Sequence, residues 1–150
     1  MDVTIYSDGS SRGNPGPGGY GTVLHYIDAK GELHVLEITK GYKHTTNNRM
    51  ELMGVISGLE ALTKPCNVTV VSDSKYVTDA FNQHWIDGWL KKNWKNVKNI
   101  DLWQRLLTAM EPHRVNYQWV KGHAGHPENE RCDELATMSA DGTDLLDDVF

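Results

Sequence analysis

Four carboxylates, Asp8, Glu51, Asp73 and Asp133, stand where an ordinary surface acid is out of place. Asp8 ends the run Val3, Thr4, Ile5, Tyr6, Ser7, which alternates as a strand does, and Asp73 ends the Val-rich run 67–72. Glu51 lies one residue before Leu52 and four before Val55, so it borders the apolar stripe of a helix rather than its solvent face. Asp133 borders the stripe Cys132, Leu135, Ala136, Ser139 in the same way. If the first and fourth strands are parallel neighbours, both strand-end acids emerge at the carboxyl edge of the sheet, where open α/β sheets bind ligands. Four carboxylates gathered without matching cations repel one another and raise some of their own pKa values; a divalent cation removes that conflict. All four offer hard oxygens, which favours Mg²⁺ or Mn²⁺ over zinc, whose sites recruit Cys or His. Two such ions about 3.5–4 Å apart generate hydroxide from water and stabilise the leaving oxygen of an in-line displacement at phosphorus. The same residues also fit a plainer account, in which a strand-ending Asp is turn chemistry and a helix-edge Glu is solvated.

Periodicity supplies the elements that must carry these acids. A strand over 3–8 runs into a Gly/Pro-rich stretch, 9–21, too permissive to be regular structure. Strands over 20–27 and 32–42 follow, joined by the turn Asp28-Ala29-Lys30-Gly31 as an antiparallel hairpin. Leu52, Val55, Ile56, Leu59 and Leu62 then recur at helical spacing, with Thr45 or Thr46 as N-cap and Pro65 as the stop. A buried strand over 67–72, helical segments from Ser74 to about Met110, a last strand over 115–120 and a loop over 121–126 come next. Pro127 opens a final helix, with Glu128 and Glu130 in its first turn. Strands first, then alternating helix and strand, give an α/β fold. Its sheet is mixed and five-stranded, three antiparallel strands then two parallel, flanked by helices.

With 150 residues, 39% hydrophobic and 23% charged, the chain reads as one globular domain, which excludes disorder and collagen. No apolar run approaches the roughly 20 residues of a membrane span, and the N-terminus lacks the basic and apolar regions of a secretory leader, so a cytoplasmic location is expected. Cys66 and Cys132 have no zinc-type spacing and read as free thiols. A net charge of -5 argues mildly against nucleic acid, but it is an average. Set aside the four site acids and the tail acids Asp141, Asp144, Asp147 and Asp148, and the remainder is net positive. Residues 84–100 hold four Lys against one Asp and interleave them with Trp85, Trp89 and Trp94, a pattern that tracks a nucleic-acid backbone. Some of the Trp residues must be core, and Trp103 and Trp119 are expected to be structural.

At these same residues the chain resembles the type 1 ribonucleases H. The shared motifs are Asp8-Gly9-Ser10, the glycine-rich 13–21, Thr45-Thr46-Asn47-Asn48-Arg49-Met50-Glu51-Leu52, Ser72-Asp73-Ser74, Asn99-Ile100-Asp101-Leu102-Trp103, and 119–136 with Lys121-Gly122-His123-Ala124-Gly125-His126. The resemblance runs in order from about residue 3 to 140 and implies a ribonuclease H-like fold for a catalytic domain over 1–141. It implies hydrolysis of the RNA strand of RNA/DNA hybrids by a two-metal-ion mechanism, leaving 3′-hydroxyl and 5′-phosphate ends. Asp8, Glu51, Asp73 and Asp133 become the ligands of two Mg²⁺ ions, with Mn²⁺ as the alternative. His123 becomes the catalytic histidine, on a loop that Gly122 and Gly125 allow to move. Asn14, Asn47 and Asn48 match the residues that contact 2′-hydroxyls, with Lys75 where bacterial relatives often carry Gln. Thr46 and Asn99 mark a phosphate pocket for the DNA strand, with His44 where Arg is common. Tyr76, Trp85 and Trp89 line a channel beside a basic protrusion that includes Lys91 and Lys92. The loop after Trp94 is several residues shorter than in bacterial relatives, which predicts weaker or more salt-sensitive hybrid binding.

Two other functions share these features: a DNA nuclease on the same fold, of the transposase or resolvase kind, and a hybrid-binding module without catalysis. The Asn and Trp/Lys clusters count against the first; the second predicts a replaced acid, and all four are present. Residues 142–150 form an acidic tail expected to be flexible. It resembles the acidic, Phe-ended tip of bacterial single-stranded-DNA-binding proteins, which suggests a replication-protein contact or a fold-back onto the chain's own basic patch. The chain is expected to be a monomer with no membrane partner.

Overall fold

Val3, Ile5 and Ser7 are buried while Thr4 and Tyr6 are half-buried, so the first strand is covered on both faces and belongs at the centre of a sheet. The computed structural model describes residues 1–122 and 125–148. Its strands are β1 (Asp2–Ser11), β2 (Gly16–Ile27), β3 (Leu33–Thr45), β4 (Asn67–Ser72) and β5 (Arg114–Trp119), and its helices are α1 (Asn47–Glu60), α2 (Lys75–Asn82), α3 (Trp85–Lys91), α4 (Ile100–Met110) and α5 (Pro127–Ala140). The sheet order is β3-β2-β1-β4-β5. The first three strands pair antiparallel, and β4 and β5 add parallel. This is the mixed sheet that the sequence predicts.

Each face has its own apolar layer. On one, Met50, Leu52, Val55, Ile56 and Leu59 of α1 join Ile5, Val68, Val70 and the fully buried Trp103. On the other, Cys132 and Leu135 of α5 cover Val23, with Tyr6 at the margin. Both cysteines are buried and free, and burial pushes the Cys132 thiol well above its usual range, which leaves it unreactive.

The glycine-rich stretch departs from its reading as an irregular loop: β1 runs on to Ser11 and β2 begins at Gly16. Gly13, with φ of 90°, serves the turn at 12–15, and the glycines within β2 serve contact. A Cβ at Gly19 would fall 2.8 Å from the Ala136 carbonyl and from Ser139 Cβ, and one at Gly21 would meet the Cys132 carbonyl, so bare backbone there lets α5 lie directly on β2.

The predicted helical stretch 74–110 is three helices, broken at 83–84, where His84 has φ 60°, and at 92–99, where Asn93, Trp94, Asn96 and Asn99 have positive φ near 54–62°. Asn tolerates that region better than most residues, which makes the second a sequence-encoded break. The first helix ends at Glu60, five residues before Pro65. No helix among the described residues is long and apolar enough to cross a membrane.

The tail departs from the expected frayed end as far as Asp148. Leu146 bridges to Tyr42, exchanging bonds with Lys43 N–H and Gly41 O at 2.8 Å each. Asp148 accepts a 2.6 Å bond from Thr45 Oγ1. Through Asp148 these are the contacts of a strap folded onto the chain, on β3 rather than on the basic segment.

Candidate active site

The parallel pairing of β1 with β4 sets Ser7 opposite Ser72, so the next residues, Asp8 and Asp73, leave the same sheet edge side by side. Thr46 caps α1 by accepting the Arg49 N–H at 3.2 Å, and α1 descends onto β1 where Gly9 stands: a Cβ at Gly9 would lie 2.9 Å from Met50 Cβ and run into the Glu51 amide. That close approach delivers Glu51. One oxygen from each of Asp8, Glu51 and Asp73 lies within 4.8 Å of the others.

The electrostatics are those of a site short of positive charge. Burial first, and then the neighbouring Asp73, push Asp8 up to about 7, against a 2.9 Å hydrogen bond from Gly9 N–H that favours its charged form. Burial, then Asp8 and Asp73, push Glu51 well above the usual carboxylate range. Glu51 Oε2 is buried with no hydrogen-bond partner among the described residues. An orphaned buried oxygen beside two further hard oxygens is a donor set that fits a divalent cation such as Mg²⁺.

Asp133, on α5, is not one of the three clustered acids, but it adds to the rise of Asp8 and so faces the same corner. Its carbonyl accepts a 2.5 Å bond from Thr137 Oγ1. His123 lies outside the described residues. Gly122, just before it, runs against the site, since a Cβ there would come 2.7 Å from Asp73 Oδ2.

Another group with metal-ligand spacing among the described residues, Asp28, Glu32 and His34, is accounted for by the hairpin turn. Asp28 Oδ1 accepts the N–H groups of Lys30 and Glu32, and Oδ2 pairs with His34 Nε2 at 2.7 Å.

The expected substrate residues fall on two connected surfaces. Asn14, Thr46, Asn48 and Asn99 line a cleft of about 560 Å³. Asn14 Oδ1 accepts the Asn47 N–H at 3.1 Å, which ties the loop before β2 to the start of α1. His44 is exposed on β3 just before this cleft. Tyr76, Trp89 and Lys92, with Lys95 and Lys98, line a groove of about 790 Å³, and Lys98 also borders the first cleft. Trp85 is exposed on α3 with its ring 6.4 Å from that of Trp89, which in turn packs edge-on against Trp103 at 5.1 Å. Lys75, Lys91 and Lys92 are exposed. Tyr76 is an anchor as well as a lining residue: its hydroxyl accepts from Asn99 Nδ2 and Trp103 Nε1 at 3.0 and 3.1 Å.

Two residues escaped the sequence reading. Arg49 is buried, with its guanidinium bonded to Asp101, Asp148 and Asn99. The signal was available: Arg49, Leu52, Met53 and Ile56 fall at i, i+3, i+4 and i+7, which places Arg49 in the buried stripe. Trp119, expected in the core, is instead 42% exposed, with its Nε1–H donating to the Asp73 carbonyl at 2.9 Å and Lys75 Nζ 4.7 Å above its ring. It is the last residue of edge strand β5, one step beyond the buried Tyr117 on the same face of the strand, where cover from the core has ended.

A carboxylate corner at a sheet edge, with a Trp- and Lys-lined groove nearby, has the makings of a metal-dependent enzyme that acts on a phosphodiester backbone. Comparison with known proteins narrows this. The family model described as RNase H matches residues 1–141. A ribonuclease H of Lachnoclostridium phytofermentans is 65% identical over 99% of this chain and 98% of its own. Among solved structures, LC9-RNase H1, described as a type 1 RNase H with the type 2 active-site motif, superposes with a TM-score of 0.83 at 32% identity, covering 93% of this chain and 72% of that one. LC11-RNase H1, solved in complex with an RNA/DNA hybrid, gives 0.64 at 25% identity over 93% and 96%. The chain belongs to the ribonuclease H family, type 1.

Proposed function

We propose that this chain hydrolyses the RNA strand of RNA/DNA hybrids using two Mg²⁺ ions, leaving 3′-hydroxyl and 5′-phosphate ends. The observation that carries the reading is the convergence of Asp8, Glu51 and Asp73 within 4.8 Å, with a buried Glu51 oxygen left unpartnered. Asp8, Glu51, Asp73 and Asp133 would hold the ions, Mg²⁺ by preference and Mn²⁺ as a substitute. Bound there, they would neutralise the acids, lower the pKa of water and stabilise the leaving oxygen.

The chain's own residues orient the hybrid. Asn14, Asn47 and Asn48, with Lys75, face the RNA strand, where short donors and backbone read consecutive 2′-hydroxyls. Thr46 and Asn99 hold a phosphate of the DNA strand, with His44 beside them. Tyr76, Trp85, Trp89, Lys91 and Lys92 follow that strand along the groove. His123 moves a proton near the leaving phosphate. One chain carries all four carboxylates, so no second copy is needed to complete the site, and a monomer is the proposed working form.

The test incubates the protein with labelled RNA/DNA hybrid, RNA duplex, DNA duplex and single strands, with Mg²⁺ and with EDTA. Mg²⁺-dependent cutting of the hybrid's RNA strand is expected. Cutting of the DNA duplex, or equal activity in EDTA, would refute the reading.

A further inference from the structure

Trp119 stands between two parts of the site and touches both. The parallel register of β4 with β5 sets Trp119 opposite Ser72, one residue before Asp73. The ladder ends with Val120 N–H donating to Ser72 O at 3.0 Å, and just beyond it the Trp119 indole N–H takes up the Asp73 carbonyl at 2.9 Å. Asp73 is followed by Ser74, whose Oγ caps α2 by accepting the Val77 N–H, and whose own N–H donates to Ser72 Oγ at 3.1 Å. The backbone that carries the Asp73 carboxylate is therefore held from β4, from α2 and, through one side chain, from β5.

The other face of the same indole holds a cation. Lys75 is the first residue of α2, where a positive charge runs against the helix dipole, so helix stability does not account for it. What fixes its ammonium is the Trp119 ring, with Nζ 4.7 Å from the centroid. Both side chains are exposed and stand beside Asp73, where the function proposed above sets Lys75 toward the RNA strand.

We infer that Trp119 is a positioning residue for hydrolysis: its N–H sets the backbone of the metal-holding Asp73, and its ring sets the Lys75 ammonium against a phosphate of the RNA strand. This rests on the hybrid-hydrolase reading. It assigns Trp119 a role in the reaction in place of a packing role, and it makes Lys75 a charged contact, sensitive to salt, where an amide would be a neutral one.

The two halves separate in a test with three single variants and one double. Mg²⁺ binding is measured by calorimetry without nucleic acid, and hybrid binding is measured in EDTA over a series of salt concentrations, so neither readout requires turnover. Trp119→Phe keeps a ring face and loses the N–H. It should weaken Mg²⁺ binding roughly tenfold, as loss of a bond that orients a metal ligand does, and leave the salt slope as it is. In turnover assays its deficit should shrink as Mg²⁺ is raised. Lys75→Gln should leave Mg²⁺ binding alone and flatten the slope of log affinity against log salt by about 0.7–0.9, one phosphate contact, with the turnover loss in KM. Trp119→Leu should show both changes, and adding Lys75→Gln to it should flatten the slope no further.

Wild-type Mg²⁺ affinity in Trp119→Phe overturns the first half, and an unchanged salt slope in Lys75→Gln overturns the second. If Trp119→Leu does not fold, the other two variants still decide both halves. A wild-type protein that leaves hybrids uncut is a different failure, that of the functional reading itself.

Discussion

Two buried charges lie two residues apart on α1 and are treated in opposite ways. Arg49 is 2% exposed and its guanidinium is fully engaged: Asp101 at 2.7 and 3.0 Å, Asp148 at 2.8 and 2.9 Å, and Asn99 Oδ1 at 3.2 Å. Burial alone would lower its pKa, but the hydrogen bonds to Asp101 and Asp148 outweigh this and hold it above the usual arginine range. Glu51 has an oxygen with no donor and two further acids beside it, and its pKa is driven the way that disfavours its charge. The first arrangement is closed, satisfied by Asp101 of α4, by Asn99 just before that helix and by Asp148 of the tail. The second is open: without a cation, a proton shared between Asp8 and Glu51 takes its place. One helix thus carries a structural charge and a functional one, and the difference lies in whether the protein supplies the partner.

The sharpest way to break the comparison is at the open end. Asp73→Asn keeps the volume and removes a ligand's charge, so hybrid cleavage should fall on the order of 10³-fold, about 4 kcal/mol, with the metal-free fold unharmed by circular dichroism. A variant that keeps near-normal cleavage would mean that the open cluster is not the reaction centre. At the closed end the damage should instead be to stability. Arg49→Ala leaves Asp101 and the nearly buried Asp148 without their cation and should cost about 3–5 kcal/mol in denaturant melts.

A third test uses pH. In the metal-free fold Asp8 holds its proton up to about pH 7, against about 4 in the unfolded chain. The folded state therefore binds more protons across that window, and metal-free stability falls as pH rises from about 4 to about 7. Asp8→Asn should be more stable than wild type at pH 8, by up to about 4 kcal/mol, and equal to it near pH 4. A gap that persists at pH 4 would assign the effect to packing. The smallest effect is expected on the groove: Lys91→Ala with Lys92→Ala should flatten the salt dependence of hybrid binding by up to about 1.8 and raise KM more than it lowers kcat.

Much of this was legible in the sequence, for reasons that differ by residue. Asp8 and Asp73 were readable because a strand's end is marked by its own alternation, and a helical crossover makes β1 and β4 parallel. Glu51 was readable from its place at the edge of an apolar stripe. Gly19 and Gly21 were not, because composition reports that a backbone is permissive and not that another helix needs its bare surface. The burial of Arg49 was readable from its place in the stripe of α1, but its partners were not, because Asp101 and Asp148 are 52 and 99 residues away. Trp103 and Trp119 are the same residue type with opposite exposure, a matter of helix α4 facing the core and strand β5 lying at an edge.

The glycines beneath α5 carry a consequence for how this sequence tolerates change. A saturation scan of the chain would mark Gly21 as intolerant a position as any catalytic acid, although it has no side chain with which to do chemistry, because every replacement drives a methyl group into the backbone of α5 at Cys132. The helix so displaced is the one that carries Asp133. Immutability along this stretch is thus a record of the distance between helix and sheet, and a designer who wanted to move the fourth acid by a fraction of an ångström would begin with the floor it rests on.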